Sequence, residues 1–151
     1  MKKYTALLLA LAVLLSACGS FSHIPDTNGD ADTSLCSITP KELTARSVRV
    51  LEQNTMRSTS NGRTSFRTQK LSRITEICRF TGQESDDCVF TVRSAVTSGN
   101  LKLYFYSDGK ILYDIPVGQT VTVTLPGTQG QCALRAAGES AAFSVEILPG
   151  A

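Results

Sequence analysis

From Cys88 onward, apolar residues fall on every second position. Cys88, Phe90 and Val92 alternate with Val89, Thr91 and Arg93; Leu101, Leu103 and Phe105 alternate with Lys102, Tyr104 and Tyr106. A period of two predicts strands with one buried face. Ser107-Asp108-Gly109 then turns the chain into Ile111, Tyr113 and Ile115. A three-residue loop with Gly109 in a left-handed bulge position keeps the faces unmixed, pairing Phe105 with Ile111, Leu103 with Tyr113 and Leu101 with Ile115. That register sets Lys102 opposite Asp114 and gathers Tyr104, Tyr106 and Leu112 on the face away from Leu103 and Phe105. Three more strands are predicted: Val121, Val123 and Leu125 between threonines; Cys132, Leu134 and Ala136; and Ala141, Phe143, Val145 and Ile147. Pro126-Gly127 and Ala137-Gly138-Glu139-Ser140 separate them, a turn signal roughly every ten residues, as in a sandwich.

Upstream the pattern is mixed. Thr39-Pro40-Lys41-Glu42 reads as a capping box with Pro at the first helical position, and Ile38 with Leu43 as its hydrophobic staple, so a helix starts here. Residues 54–62 form a loop containing the hairpin dipeptide Asn61-Gly62. Residues 65–80 fit either period. Leu71, Ile74, Ile77 and Cys78 recur at helical spacing, while Ile74, Cys78 and Phe80 share one face of a strand that would carry Glu76 inward; the β-rich company favours the strand. Residues 19–35 show no apolar period and are rich in Gly, Ser, Thr and Asp, as in a flexible tether. Within them, Asp26, Asn28, Asp30 and Asp32 alternate like the first half of a calcium loop, but Ala31 and Ser37 stand where that loop needs Gly and a carboxylate. An acidic solvated linker is the reading kept.

The fold class expected is therefore mainly β: a small antiparallel β-sandwich, jelly-roll-like, with one short N-terminal helix after a disordered tether. Residues 99–148 resemble the small jelly-roll or pre-peptidase-type β-sandwiches of secreted bacterial proteins. The resemblance implies a fold and no catalytic residues.

Lys2 and Lys3 precede an apolar run over residues 6–15, about the length of a signal-peptide core and short of the roughly 20 residues that span a bilayer. At its foot stands Leu15-Ser16-Ala17-Cys18, which resembles the lipobox of bacterial lipoprotein precursors. The resemblance implies diacylglycerol on the Cys18 thiol and cleavage before it. Residues 1–17 are then signal peptide, 18–35 lipidated cysteine and tether, and 36–151 one β-rich domain. Two acyl chains hold a protein durably where one is marginal. Gly19 is not the Asp that retains Gram-negative lipoproteins at the inner membrane, so the expected site is the cell membrane or outer membrane, facing away from the cytoplasm. An ordinary cleaved secretory signal is the alternative.

Charge changes this picture locally. The precursor carries +2, and loss of Lys2 and Lys3 leaves a mature chain at 2 − 2 = 0, which gives no overall field for nucleic acid. Between Lys41 and Arg79, however, nine Lys or Arg face Glu42, Glu52 and Glu76 (9 − 3 = +6), while from Phe80 onward four face seven acids (4 − 7 = −3). These are solvated faces that partly neutralise one another, or a basic side turned toward anionic lipid or cell-wall polymer.

Beyond Cys18, the cysteines are Cys36, Cys78, Cys88 and Cys132, an even number that favours disulfides in an exported chain. Three pairings are open; Cys78 with Cys88 across a polar turn is favoured, leaving Cys36 with Cys132. The spacings are not those of a zinc site, and the single histidine, His23, lies on the tether, so neither a metal, a cofactor nor nucleophilic catalysis is expected. Glu84, Asp86 and Asp87 cluster in a polar turn and read as solvated charge. No Trp is present, which weakens stacking on sugars.

Tyr104, Tyr106 and Leu112 remain as candidate binding residues. They are either an aromatic patch for a partner or the floor on which the basic N-terminal half packs, the arrangement expected of a two-layer domain. The function expected is a non-enzymatic binding or interaction module anchored at a bacterial envelope, with an envelope protein or cell-wall polymer as partner; the alternative is an inhibitor or accessory subunit of an envelope enzyme or transport complex.

Overall fold

The computed structural model describes residues 35–82, 86–127 and 130–150. The signal segment, Cys18, the tether with His23 and Asp26–Asp32, and Glu84 lie outside them. Among the described residues one short helix, α1 (Pro40–Leu43), precedes seven strands: β1 (Glu52–Gln53), β2 (Met56–Ser60), β3 (Arg63–Gly82), β4 (Cys88–Ser107), β5 (Lys110–Ile115), β6 (Thr120–Leu125) and β7 (Gly130–Pro149). All pairings are antiparallel, in the order β1-β3-β7-β4-β5, with β2 beside β3 and β6 beside β4. Among the described residues the fold is thus mainly β, with one short helix ahead of the strands.

Three of the strands are 20 residues long, and each is bent in the middle. Phe90 and Phe105 show the bend directly. They lie on the same strand, 15 residues apart, which in a straight strand is about 50 Å, yet their ring centroids are 5.3 Å apart. β4 therefore doubles back across the core. β3 and β7 bend alongside it, at a common corner where the pairing register slips between Thr68 and Arg73 and between Val96 and Asn100. Arg73, Gly99 and Ser140 all carry positive φ there. A strand that crosses from one layer to the other does so through such bulges. Gly99 is required: a Cβ on it would stand 2.5 Å from the Ser140 carbonyl oxygen.

The corner divides the sheet into two layers. The first holds the later halves of β3 and β4 and the earlier half of β7, edged by β1 and β5; the second holds the remaining halves, edged by β2 and β6. Between them lies the main core, including Phe66, Leu71, Ile77, Val92, Leu103, Phe105, Leu134 and Phe143. Phe80 of the first layer meets Phe90 of the second at 4.7 Å.

Several expectations are met and several corrected. The capping box of Thr39 and Glu42 forms, and Asn61-Gly62 closes a two-residue hairpin with positive φ at both positions. Residues 65–80 are strand, but Glu76 faces away from the main core, opposite Arg135, because a bulge between Glu76 and Cys78 puts both Ile77 and Cys78 on the core side. The segment 137–140 is not a turn between two strands; it is the corner inside β7. The β4–β5 loop has two residues, Asp108 and Gly109, both at positive φ, with Ser107 paired to Lys110 and Leu103 to Ile115. The expected three-residue loop solved the face-mixing problem in the wrong place. A bulge within β5 supplies the extra residue, since Tyr106 pairs with Ile111 and Phe105 with Tyr113. Lys102 and Asp114 still meet, Nζ to Oδ2 at 2.9 Å, as diagonal neighbours.

Candidate functional site

Each layer has one face turned outward, and the two differ. On the first layer that face carries Tyr104 and Tyr106 of β4, Arg135 and Ala137 of β7, and Ile74 and Glu76 of β3. It is covered. The segment from Leu35 to Val48, with α1 in its middle, lies over it as a strap, and Ile38 and Leu43, the staple pair, join Ile74, Tyr104, Tyr106 and Ala137 in a second buried cluster. Burying each of these aliphatic side chains is worth about 1.5–3 kcal/mol. Tyr104 is 0% exposed and Tyr106 6%.

The tyrosine hydroxyls are satisfied by the strap backbone. Tyr104 donates to the Leu43 carbonyl at 3.1 Å; Tyr106 donates to that of Thr44 at 3.3 Å and accepts from the Gly109 amide. Burial pushes the Tyr104 phenol up to about 12. Arg135, 3% exposed, lies 3.5 Å over the Tyr106 ring and donates to the carbonyls of Ala45 and Arg46. At the strap's other end, Glu139 accepts from the Ser37 hydroxyl at 2.7 Å and from its amide, which hold the Glu139 carboxyl down at about 2.

The predicted site residues are therefore split. Tyr104 and Tyr106 are the floor under the strap. Leu112 is not with them: the β5 bulge turns it to the main core. The face is packed, and a partner would have to displace the strap to reach it. Beyond the strap's end a cavity of about 430 Å³ remains, but its charged lining is paired internally, Arg46 with Asp108 at 3.0 Å and Arg79 and Arg135 both with Glu76.

The cysteines form no disulfide among the described residues. Cys36 lies by Glu139 at the corner of β7, whereas Cys132 stands five residues before that corner (137 − 132), about 17 Å along the strand, against the 4.4–6.8 Å that a disulfide spans between Cα atoms. The pairing of Cys36 with Cys132 does not fit this fold. Cys78 and Cys88 both pack on the main core, and desolvation pushes the Cys78 thiol up to about 11, which makes it a poor nucleophile. Asp86 and Asp87 are exposed.

The outer face of the second layer is the opposite case. In register across β2, β3, β7, β4 and β6 run Ser58, Ser65, Glu146, Arg93 and Thr120; the adjacent row is Met56, Arg67, Ser144 and Ala95, and on the other side stand the pair Ser60 and Arg63 on β2 and β3 and the row Leu148, Thr91 and Thr122 on β7, β4 and β6. Among the described residues nothing packs on it. A groove of about 510 Å³ crosses it between Arg63, Arg67 and Arg93, floored by Ser65, Ala95 and Ser144. Glu146 is the face's one carboxylate among the described residues. It pairs with Arg63, and its Oε2 is 3.9 Å from Arg93. The Arg67 side chain makes no hydrogen bond or ion pair among the described residues, so the arginines exceed the acid by 3 − 1 = 2 charges. The alternation of Thr91 and Arg93 with Phe90 and Val92 was the signal in the sequence; that Arg63 and Arg67 join them required the pairing of β3 and β4 to β7.

No family model matches the sequence, and no curated protein matches it. Among solved structures, a mutant of a family 29 carbohydrate binding module is similar over 72% of this chain and 84% of its own, at 10% identity and a TM-score of 0.37. A second such mutant, from work on ligand recognition by family 29 modules, covers 72% of this chain and 78% of its own, at 12% identity and the same TM-score. At that overlap neither structure assigns a ligand or a family to this chain.

Proposed function

We propose that this chain is a non-enzymatic binding module of a bacterial envelope, held to a membrane through acylated Cys18, and that the outer face of the second layer is its binding surface. The carrying observation is the contrast between the two outer faces: one is sealed by the chain's own strap, the other presents hydroxyls and guanidinium groups with nothing upon them among the described residues. Strands of a continuous sheet hold those groups in fixed rows, which lowers the ordering cost of binding. The face is built for recognition. Its carboxylate, Glu146, is already engaged by two arginines, leaving no free base on this face among the described residues. The lipobox-like residues 15–18 and the tether support the anchor.

Both parts are testable on the full chain. The membrane-bound protein should show acyl addition at Cys18 by intact mass and lose it in Cys18→Ser; an unmodified Cys18 removes the anchor. Against a panel of envelope polymers and glycans, Ser144→Trp, which fills the groove from an exposed position between Arg67 and Ala95, should remove binding without lowering the melting temperature by more than a few degrees. A variant that binds like wild type moves the site elsewhere.

A further inference from the structure

We infer that the open face takes a carboxylated glycan, with Arg67 and Arg93 as its carboxylate contacts; this rests on the binding-module reading above and names its ligand class. Three observations on the same face converge. First, its charge is unbalanced toward cations: Arg67 is without a partner among the described residues, and Arg63 and Arg93 share the single carboxylate of Glu146. A guanidinium presents a fork of donors that a carboxylate accepts two at a time. The Glu146 carboxylate, lying between two arginines, shows which anion the groove geometry accommodates.

Second, the rest of the lining suits sugar hydroxyls. Ser58, Ser65 and Ser144 border the groove, and Thr91, Thr120 and Thr122 extend the same face on β4 and β6. Third, no aromatic ring lies on this face among the described residues: Phe66 and Phe143 point into the main core, with Phe80 and Phe90 packed against it. A neutral glycan would find hydrogen bonds but no ring to stack on, so charge has to supply the affinity. An anionic bilayer fits less well, because interfacial binding draws on a continuous exposed apolar surface and the groove offers only Met56 at its rim. By strand geometry, Arg67 and Arg93 stand two strands and two residues apart, about 12 Å at their Cα atoms. Two anionic groups of one extended polymer can therefore be held together.

The experiment compares polygalacturonate, the same polymer with its carboxylates methyl-esterified, dextran, and phosphatidylglycerol vesicles, against the full chain and its variants Arg67→Gln, Arg93→Gln and Ser144→Trp. Polygalacturonate should bind, the ester and dextran should not, and affinity should fall as salt is raised. Each arginine variant should weaken binding about tenfold, the loss of one charge-assisted contact, while the melting temperature stays put. Equal binding of the ester, or arginine variants that bind polygalacturonate like wild type, overturns the carboxylate assignment. If Ser144→Trp still abolishes glycan binding in that event, the face remains the site and only its ligand class is wrong. No binding to polygalacturonate, or arginine-dependent binding to the vesicles alone, also overturns it.

Discussion

The two outer faces of this molecule are made by the same three long strands, yet among the described residues one is buried and the other uncovered. What separates them is the chemistry of every second residue. On the first layer those positions hold Tyr104, Tyr106, Ile74 and Ala137, which gain by leaving water, and the strap brings Ile38 and Leu43 to meet them. On the second they hold Ser58, Ser65, Thr91, Ser144 and the arginines, which lose nothing by remaining in water. Covering the second face would desolvate guanidinium groups without enough acids to pair them, a cost the first face avoids by giving Arg135 two strap carbonyls and Glu76. The buried Arg135 meets acceptors at both terminal nitrogens, with its Nε left without one. A charge left exposed with spare donors is available to something else.

The contrast can be broken most severely at Tyr104. Tyr104→Ala should leave a cavity beneath the strap and release the Leu43 carbonyl, costing about 3–5 kcal/mol and lowering the melting temperature by roughly 10–20 °C. A thermal melt within a few degrees of wild type would mean that the strap is not integral to the fold, and would return the tyrosine face to the list of binding surfaces.

Next comes the corner that both layers share. Gly99→Ala places a Cβ against the backbone of Ser140 and Glu139 and forces a side chain into the left-handed region, so we expect a loss of about 2–4 kcal/mol. Because the corner sets the position of both faces, protease sensitivity should rise at the strap and at β2 together. Damage confined to one of them would show that the layers fold independently.

The smallest effect concerns the strap's outer hold. The Glu139 carboxyl, held at about 2 by the Ser37 hydroxyl and amide, is depressed, so its contribution is full above the ordinary carboxylate value near 4.5 and fades as pH falls toward 2. Wild type should melt slightly above Glu139→Gln at pH 6, and the two curves should merge near pH 2. A difference that is the same at both pH values would remove the carboxylate from the strap's hold. Glu42, whose carboxyl is also lowered, chiefly by the Thr39 amide, titrates in both proteins and cancels from the comparison.

Much of this was legible in the residues themselves. The period of two marked β4, β5, β6 and both halves of β7, and Thr39 to Leu43 marked the helix and its staple. Those features are local: a strand's alternation, a cap and a staple are each settled by side chains within a few residues of one another. The polar rows of the open face were also written in that alternation, at Thr91, Arg93 and the threonines of β6.

The rest was decided at a distance. A glycine or serine at positive φ serves a hairpin turn and a strand corner equally well, so Gly99 and the segment 137–140 could not be distinguished from turns until three strands bent in register. The β5 bulge that sends Leu112 to the core depends on how β4 and β5 pair, not on either strand alone. Alternation likewise tells which residues share a face and not what covers it; only the strap's path over Tyr104 and Tyr106 made one face a floor, and only β7, lying between β3 and β4, brought Arg63 and Arg67 beside Arg93. Local pattern is short-range sterics and solvation, whereas a site is a coincidence of residues far apart in the chain, and that coincidence exists only once the sheet has folded across itself.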